Sequence, residues 1–526
     1  MNLKLAICLL LGVSSFAQAD HPQWVFFEAD PQAPQLELSP RAEQRLETRG
    51  SADPRGNQQV SAVYLAALRD AGFKIRQRSR FLNAVSVEIE NSEDLESLKR
   101  MPFVKSTRPV SWRQNRMLPA LDSEPQLTKI SDQNYGQSYT QNQLLNIPTI
   151  HNYGYDGSGI MVAVFDTGFD TQHPVFDHLN IIAQYDFVDH ETDATGPGHE
   201  HGINTLSVLG GYVSGELIGP AYGASFLLAR TEDVASESRA EEDNWVAALE
   251  WADSLGVDIV SSSLNYWDFD NDADDYPFSA LDGETAIISR AANIAAERGI
   301  LVVNSAGNEG ASASSIWPPA DSRHVLAVGA TDSQGEIASF SGRGPTYDNR
   351  TKPNIVAMGQ SVYMATGRSA FRLGNGTSFS TPQIAGVAAL LLQANPGLVP
   401  DSIISIFQQH GSLGDFPNND YGYGIPDLSG LFTDLKSRSS RDCLFYPNPA
   451  TYSEIKMVLP DPVTSNILSC RLFDVSGREI TTLIPNNESA YILSLVFPEV
   501  LVSQLLFVSV QSGNKTYSGK FVYLRS

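Results

Sequence analysis

Three short segments each set a reactive side chain at a structural boundary. Val164-Phe165-Asp166-Thr167-Gly168 puts an aspartate directly after an apolar run. His199-Glu200-His201-Gly202-Ile203-Asn204-Thr205-Leu206-Ser207 puts a histidine at the start of an apolar helix, and Asn375-Gly376-Thr377-Ser378-Phe379-Ser380-Thr381-Pro382 puts a serine ahead of the helical run 384–392. A serine hydroxyl is a weak nucleophile at its own pKa and needs an adjacent base. Histidine titrates in the range that role requires, and a buried carboxylate would hold the imidazole in one tautomer and stabilise the imidazolium. The spacing has Ser378 precede its helix with Pro382 in the first turn, where a missing N–H costs little. The Ser378 N–H and the helix dipole can then face a developing oxyanion. A fourth segment, Val303-Asn304-Ser305-Ala306-Gly307-Asn308-Glu309-Gly310, supplies an amide, Asn308, that could donate to the same oxyanion.

These side chains need a scaffold that presents strand ends and helix starts to one place. From about 136 to 435 the chain repeats strand, loop and helix. Ile160 to Phe165, Val257 to Ser261 and Gly299 to Val303 are continuous apolar runs of the kind buried on both faces of a parallel sheet. Helical spacing occupies Asn244 to Asp253 and Thr285 to Arg298. The alternation predicts an α/β fold with a doubly wound, mostly parallel sheet, whose functional groups gather beyond the carboxyl ends of the strands.

Composition narrows the chemistry. Lys and Arg number 36 against 60 Asp and Glu, a net charge of −24, which opposes phosphate backbones and anionic membranes as partners; nucleic-acid binding is excluded. Hydrophobic residues make up 42 % of the 526, enough for a large globular core. Three cysteines cannot form a four-thiolate zinc site or a dense disulfide scaffold; Cys443 and Cys470 could pair or remain buried thiols. Five of the 9 histidines fall within 173–201 (His173, His178, His190, His199 and His201), but His-Glu-His lacks the i, i+4 spacing that sets two metal ligands on one helical face. No metal is required for the chemistry. The acidic stretch from Asp268 to Asp275 could supply oxygen ligands to a structural calcium ion, although it lacks the glycine and terminal glutamate of an EF-hand loop, and a solvated acidic loop fits it better.

The order Asp, His, Asn, Ser, with Asp-Thr-Gly, His-Gly and Gly-Thr-Ser-x-Ser-x-Pro, resembles the subtilisin-like serine peptidases, the subtilases, over 136–430. The resemblance implies a serine endopeptidase acting on proteins or peptides. Asp166 would orient the base, His201 would be general base and acid, Ser378 the nucleophile, and Asn308 a donor to the oxyanion. Motif register favours His201 over His199 and Asp166 over Asp170. Ser263-Leu264-Asn265 matches the strand that pairs with substrate backbone and walls the first specificity pocket, as does Ser305-Ala306-Gly307. Two positions depart from the family: Ile203 stands where Thr usually follows His-Gly, setting bulk beside the base, and Asn265 replaces a usual Gly, which narrows the pocket.

The flanks have their own character. Residues 1–19 read as a secretory signal peptide, with Lys4, the apolar run Leu5 to Val13 and Ala17-Gln18-Ala19 before Asp20; no later apolar stretch is long enough to span a bilayer. Residues 20–130 form a small α+β module and linker, with strands at Phe81 to Ile89 and Phe103 to Thr107 around a helix at Ser92 to Met101. This module resembles the inhibitory propeptides of subtilases. It is locally basic (Arg76, Arg78, Arg80, Lys99, Arg100, Lys105, Arg108, Arg113 and Arg116), which would favour docking on an acidic enzyme, and self-cleavage is expected within 111–135. Residues 441–526 carry strand-like runs Ile467 to Phe473, Tyr491 to Phe497, Leu505 to Val510 and Phe521 to Leu524, a small antiparallel β-sandwich. With Tyr446-Pro447-Asn448-Pro449, Asp474-Val475-Ser476-Gly477-Arg478 and Gly519-Lys520-Phe521, it resembles the type A sorting domain of the type IX secretion system of Bacteroidota, although the usual Gly-x-Tyr is replaced by Leu505-Leu506-Phe507. The expected course is export to the periplasm, then passage to the surface or medium by the type IX machinery. The competing function class is an inactive, surface-displayed binding protein on the same fold.

Overall fold

The computed structural model describes residues 22–51, 55–89, 91–110, 134–196, 200–235, 238–267, 269, 275–310 and 315–432, and in the C-terminal part 444–446, 454–458, 467–474, 478–483, 486–487, 492–496, 504–513 and 515–523. The first unit runs β1 (Gln23–Phe27), α1 (Pro40–Arg49), α2 (Ala62–Asp70), β2 (Ile75–Ser79), β3 (Ala84–Val87), α3 (Ser92–Lys99) and β4 (Val104–Pro109). Its antiparallel sheet has the order β2-β3-β1-β4. Sequence periodicity located β3, α3 and β4; β1, β2, α1 and α2 emerge only in the structure. Ser39 caps α1, accepting from the Ala42 N–H at 3.2 Å, and Pro40 opens it without losing a hydrogen bond.

The second unit runs α4 (Tyr139–Gln143), α5 (Ile147–Asn152), β5 (Met161–Asp166), β6 (Asn180–Asp186), α6 (His201–Gly210), β7 (Tyr212–Val213), β8 (Leu217–Ile218), β9 (Ser225–Arg230), α7 (Arg239–Leu255), β10 (Ile259–Ser262), α8 (Ile287–Glu297), β11 (Leu301–Ser305), β12 (Val325–Thr331), β13 (Ile355–Met358), β14 (Val362–Thr366), β15 (Ala370–Gly374), α9 (Thr377–Ala394) and α10 (Pro400–Gln409). The central sheet is seven-stranded in the order β13-β12-β11-β10-β5-β9-β6, and its pairings are parallel. Alternation along β5 assigns the two faces: Val162 and Val164 join the core under α6 and α9, and Ala163 and Phe165 the core under α7 and α8. The chain winds outward from β5 to β6, returns through β9, and crosses to β10 on the far side. That change of direction leaves a crevice at the carboxyl end of β5.

The first unit lies over α7 and α8. Trp24, Phe26, Phe81, Leu82, Ala84 and Val110 share one core with Trp245, Leu249 and Ile288. Arginines of α1 seal the edge of this packing. Arg45 is buried and ion-paired with Asp253, its Nε donates to the Arg298 carbonyl at 3.0 Å, and Arg41 and Arg49 both pair with Asp258. Gly256 ends α7 at φ 89°, and a Cβ there would lie 2.8 Å from the Ala42 nitrogen; the close seat of α1 requires this glycine. Of the basic residues expected to dock the module, Arg80 pairs with Asp253 and Arg76 stands 4.0 Å from Asp243. Arg108 of the same stretch donates to the Thr285 carbonyl, and outside it the α1 arginines and Arg55, which pairs with Glu297, add to the contact.

At the C-terminal end, β16 (Leu444–Tyr446), β17 (Glu454–Val458), β18 (Ile467–Phe473), β19 (Glu479–Thr482), β20 (Asn486–Asn487), β21 (Ile492–Val496), β22 (Gln504–Ser512) and β23 (Lys515–Tyr523) form two antiparallel sheets, β16-β17-β21-β20 and β19-β18-β22-β23. One core draws Ile455, Met457, Leu493 and Leu495 from the first sheet and Cys470, Leu472, Leu506 and Val508 from the second, which is a β-sandwich. Cys470 is a free, buried thiol, while Cys443, the signal segment and residues 111–133 of the expected cleavage stretch 111–135 lie outside the described residues. Among the described residues no helix is long and apolar enough to cross a membrane.

Candidate active site

Asp166 is the last residue of β5 and fully buried, and His201 is the first residue of α6. Their side chains meet, with Nδ1 of His201 2.7 Å from Oδ1 of Asp166. The approach depends on Gly202, where a Cβ would lie 2.0 Å from the Gly168 carbonyl oxygen. Any side chain there would push α6 away from the Asp-Thr-Gly turn, so the two glycine-containing motifs are halves of one contact. Oδ1 of Asp166 also accepts from the Thr167 N–H at 2.8 Å and its hydroxyl at 3.2 Å, while Oδ2 accepts from the Thr205 hydroxyl at 2.9 Å. Burial opposes the imidazolium of His201, but the charge and hydrogen bond of Asp166 outweigh it and raise the pKa above 6.5; Arg372 acts against this and Glu232 with it.

The structure corrects the expectation that Ser378 precedes its helix. The helix α9 begins at Thr377, Ser378 is its second residue, and Pro382 lies inside it rather than in the first turn. The reason is local. Pro382 cannot donate to the carbonyl four residues back, which belongs to Ser378, and the Ser263 hydroxyl donates to that carbonyl instead at 2.8 Å. The helix therefore starts early without losing a partner. The Ser378 hydroxyl lies 3.4 Å from the Ser263 carbonyl, and the ring of the adjacent Phe379 is 5.8 Å from that of His201. At the second helical position the Ser378 N–H has no acceptor within the helix.

Asn308 borders the same helix start. Its Oδ1 accepts from the Thr377 N–H at 2.9 Å and the Thr377 hydroxyl at 3.0 Å. These donors decide which end of the amide faces α9 and leave Nδ2 directed away from Thr377. Beyond β10 and β11 the paired segments are braced. Asn304 donates to the Leu264 carbonyl at 2.8 Å. Asn265 donates to the Ser305 carbonyl at 2.8 Å and accepts from the Ser305 hydroxyl at 2.8 Å. Ser305, Ala306 and Gly307 are buried. The Asn265 side chain thus bridges the Ser263–Asn265 and Ser305–Gly307 segments.

The remaining candidates separate from this cluster. Asp170 pairs with Arg368 at 2.8 Å, and His173 and His178 each hydrogen-bond a backbone carbonyl at 3.0 Å. His199, and residues 268 and 270–274 of the acidic loop, lie outside the described residues. Ile203 does not stand beside the base; it is buried in the apolar core with Leu206 and Leu209, because a residue two positions along a helix faces the opposite side. Sequence reasoning missed Thr205, although its i, i+4 relation to His201 was there to be used. It also missed Glu232, just beyond β9, which is 7 % exposed and accepts the hydroxyls of Tyr266 and of Thr231 (3.0 Å); burial pushes its pKa up.

Comparison with known proteins finds similar families and structures. A family model described as "Subtilase family" matches residues 157–424, and one described as "Peptidase S8 propeptide domain, Bacteroidota" matches residues 22–124. Subtilisin amylosacchariticus of Bacillus subtilis subsp. amylosacchariticus is 27 % identical over 354 residues, spanning 64 % of this chain and 79 % of its own. Subtilisin BL of Lederbergia lenta is 35 % identical over 252 residues, spanning 47 % of this chain and 82 % of its own. A solved protease structure from Pseudoalteromonas arctica covers 57 % of this chain and 98 % of its own at 23 % identity, with a TM-score of 0.46.

Proposed function

The chain belongs to the subtilase family of serine peptidases, and from that premise we propose that it is a secreted endopeptidase working through an acyl-enzyme on Ser378. The Ser378 hydroxyl oxygen attacks the scissile carbonyl carbon, and its proton passes to Nε2 of His201. Asp166 holds the Nδ1–H, fixing the tautomer and stabilising the imidazolium. The Ser378 N–H and Nδ2 of Asn308 donate to the oxyanion. His201 then gives its proton to the departing amine, and water releases the acyl group by the reverse sequence. The observation that carries this reading is the 2.7 Å contact between His201 and the buried Asp166. Ser263, Leu264 and Asn265 with Ser305, Ala306 and Gly307 would border the first specificity pocket. The N-terminal module would block the cleft until self-cleavage within 111–135 and release. The signal peptide at 1–19 would direct export and the C-terminal sandwich the type IX step.

Intact-mass spectrometry with and without a fluorophosphonate, beside Ser378→Ala, tests the enzyme and its processing together. The expected result is a shortened protein carrying one adduct on Ser378, and a variant that stays full length. A shortened protein that takes no adduct would mean a binding protein on a subtilase fold.

A further inference from the structure

Asp166 is held on both of its oxygens, and the two holds come from different elements. Oδ1 faces His201 and the Thr167 turn, whereas among the described residues the hydrogen bond to Oδ2 comes from Thr205 Oγ1 alone, at 2.9 Å. Thr205 is one turn beyond His201 on α6, so imidazole and hydroxyl project from the same helical face onto one carboxylate. The hydroxyl also lies 3.2 Å from the Gly202 carbonyl. It has one proton to give, and a charged carboxylate at the shorter distance is the stronger acceptor. Thr205 and Asp166 are 1 % and 0 % exposed, so water does not replace this bond.

We infer that Thr205 is a positioning residue for the Asp166–His201 pair, pinning the plane of the carboxylate so that Oδ1 stays aimed at Nδ1. A carboxylate bonded on one oxygen alone can turn about its Cβ–Cγ bond, and the imidazole turns with it. With Thr205 in place, α6 carries both the base and the group that fixes the base's orienter, so a shift of the helix moves them as a unit. The inference rests on the triad reading given under the proposed function.

The test compares Thr205→Val, which keeps the β-branched shape and removes the hydroxyl, with Thr205→Ser and Ser378→Ala, each expressed as the full chain. The wild type and the Thr205 variants are assayed after self-processing with active sites counted by a fluorophosphonate, and Ser378→Ala is assayed as the unprocessed protein. For Thr205→Val, kcat on a peptide substrate is expected to fall about tenfold, with KM within about twofold, since a lost hydrogen bond to a charged group weakens orientation and not substrate binding. Thr205→Ser is expected to recover most of kcat. Thr205→Ala serves the same comparison where the valine variant does not fold. A Thr205→Val kcat within about twofold of wild type, or a loss that Ser does not repair, overturns the inference and leaves the triad standing. Hydrolysis persisting in Ser378→Ala overturns the triad and the inference with it.

Discussion

The Ser305 hydroxyl and carbonyl both engage the Asn265 amide, so the space between the two segments proposed to face substrate is crossed by a side chain that hydrogen bonds hold in place. A flexible asparagine could swing aside for a bulky substrate group; a doubly bonded one resists, because both bonds must break. Asn265→Gly is therefore expected to raise kcat/KM for substrates with a large aromatic residue before the scissile bond, relative to alanine there, by about tenfold. Paired peptide substrates measure this, and an unchanged ratio would show that the bridge lies outside the pocket. His201 and Asp166 exemplify what was legible at this scale, since motif and strand end coincide. The Asn265–Ser305 bond was not, because only folding brings residues from two strands into register.

At the scale of elements, α7 decides how the N-terminal module is held. Asp243 projects from α7 beneath β2, fully buried, with Arg76 at 4.0 Å its nearest cation. Burial pushes its pKa up to about 7, partly offset by Arg76, with Glu242 adding to the rise. Asp253 and Asp258 resist burial through their arginine partners and are shifted down. The sign follows from linkage. A carboxyl raised in the docked state favours docking when protonated, so Asp243 strengthens the complex at mildly acidic pH. That contribution is lost as pH rises through about 7. The two depressed carboxylates weaken docking only in stronger acid, below the ordinary carboxylate range. After self-cleavage the module should stay bound at mildly acidic pH and dissociate as pH is raised above neutrality. Asp243→Asn should flatten that dependence, and Arg45→Ala should loosen the module at every pH. Size-exclusion chromatography of the processed complex across pH reads both; a release profile that Asp243→Asn leaves unchanged would assign the proton to another group. The helix α1 escaped the sequence reading for a related reason. Its inward face carries Ala42, Arg45 and Arg49, so the residues that it buries are those that periodicity assigns to solvent.

Across the whole molecule, cores mark what can be separated. The C-terminal sandwich closes over its own apolar cluster, which among the described residues contains none of the peptidase sheet. Ending the chain at residue 435 should leave kcat/KM within about twofold and the Tm of the peptidase within about 2 °C, as expected of a domain with a self-contained core. Calorimetry and peptide hydrolysis check this, and a drop in Tm beyond about 5 °C would show that the sandwich supports the peptidase. The same truncation, expressed with the signal peptide in a type IX-competent host, should leave active enzyme in the periplasm if residues 441–526 carry the sorting signal.

By itself the sequence determined the doubly wound sheet, the strand end at Asp166, the helix start at His201, and the sandwich strands β18, β21 and β22. Each depends on short-range patterns such as apolar runs, turn residues and motif spacing. Tertiary structure alone decided that α9 opens at Thr377, that Thr205 rather than position 203 serves the carboxylate, and that α1 caps α7 and α8 with arginines. Those outcomes turn on partners far apart in the chain: Ser263 and Ser378 are 115 positions apart, and Arg45 and Asp253 are 208. A hydrogen bond or buried ion pair forms only where the backbone has already brought its two ends together, and no local pattern encodes that distance.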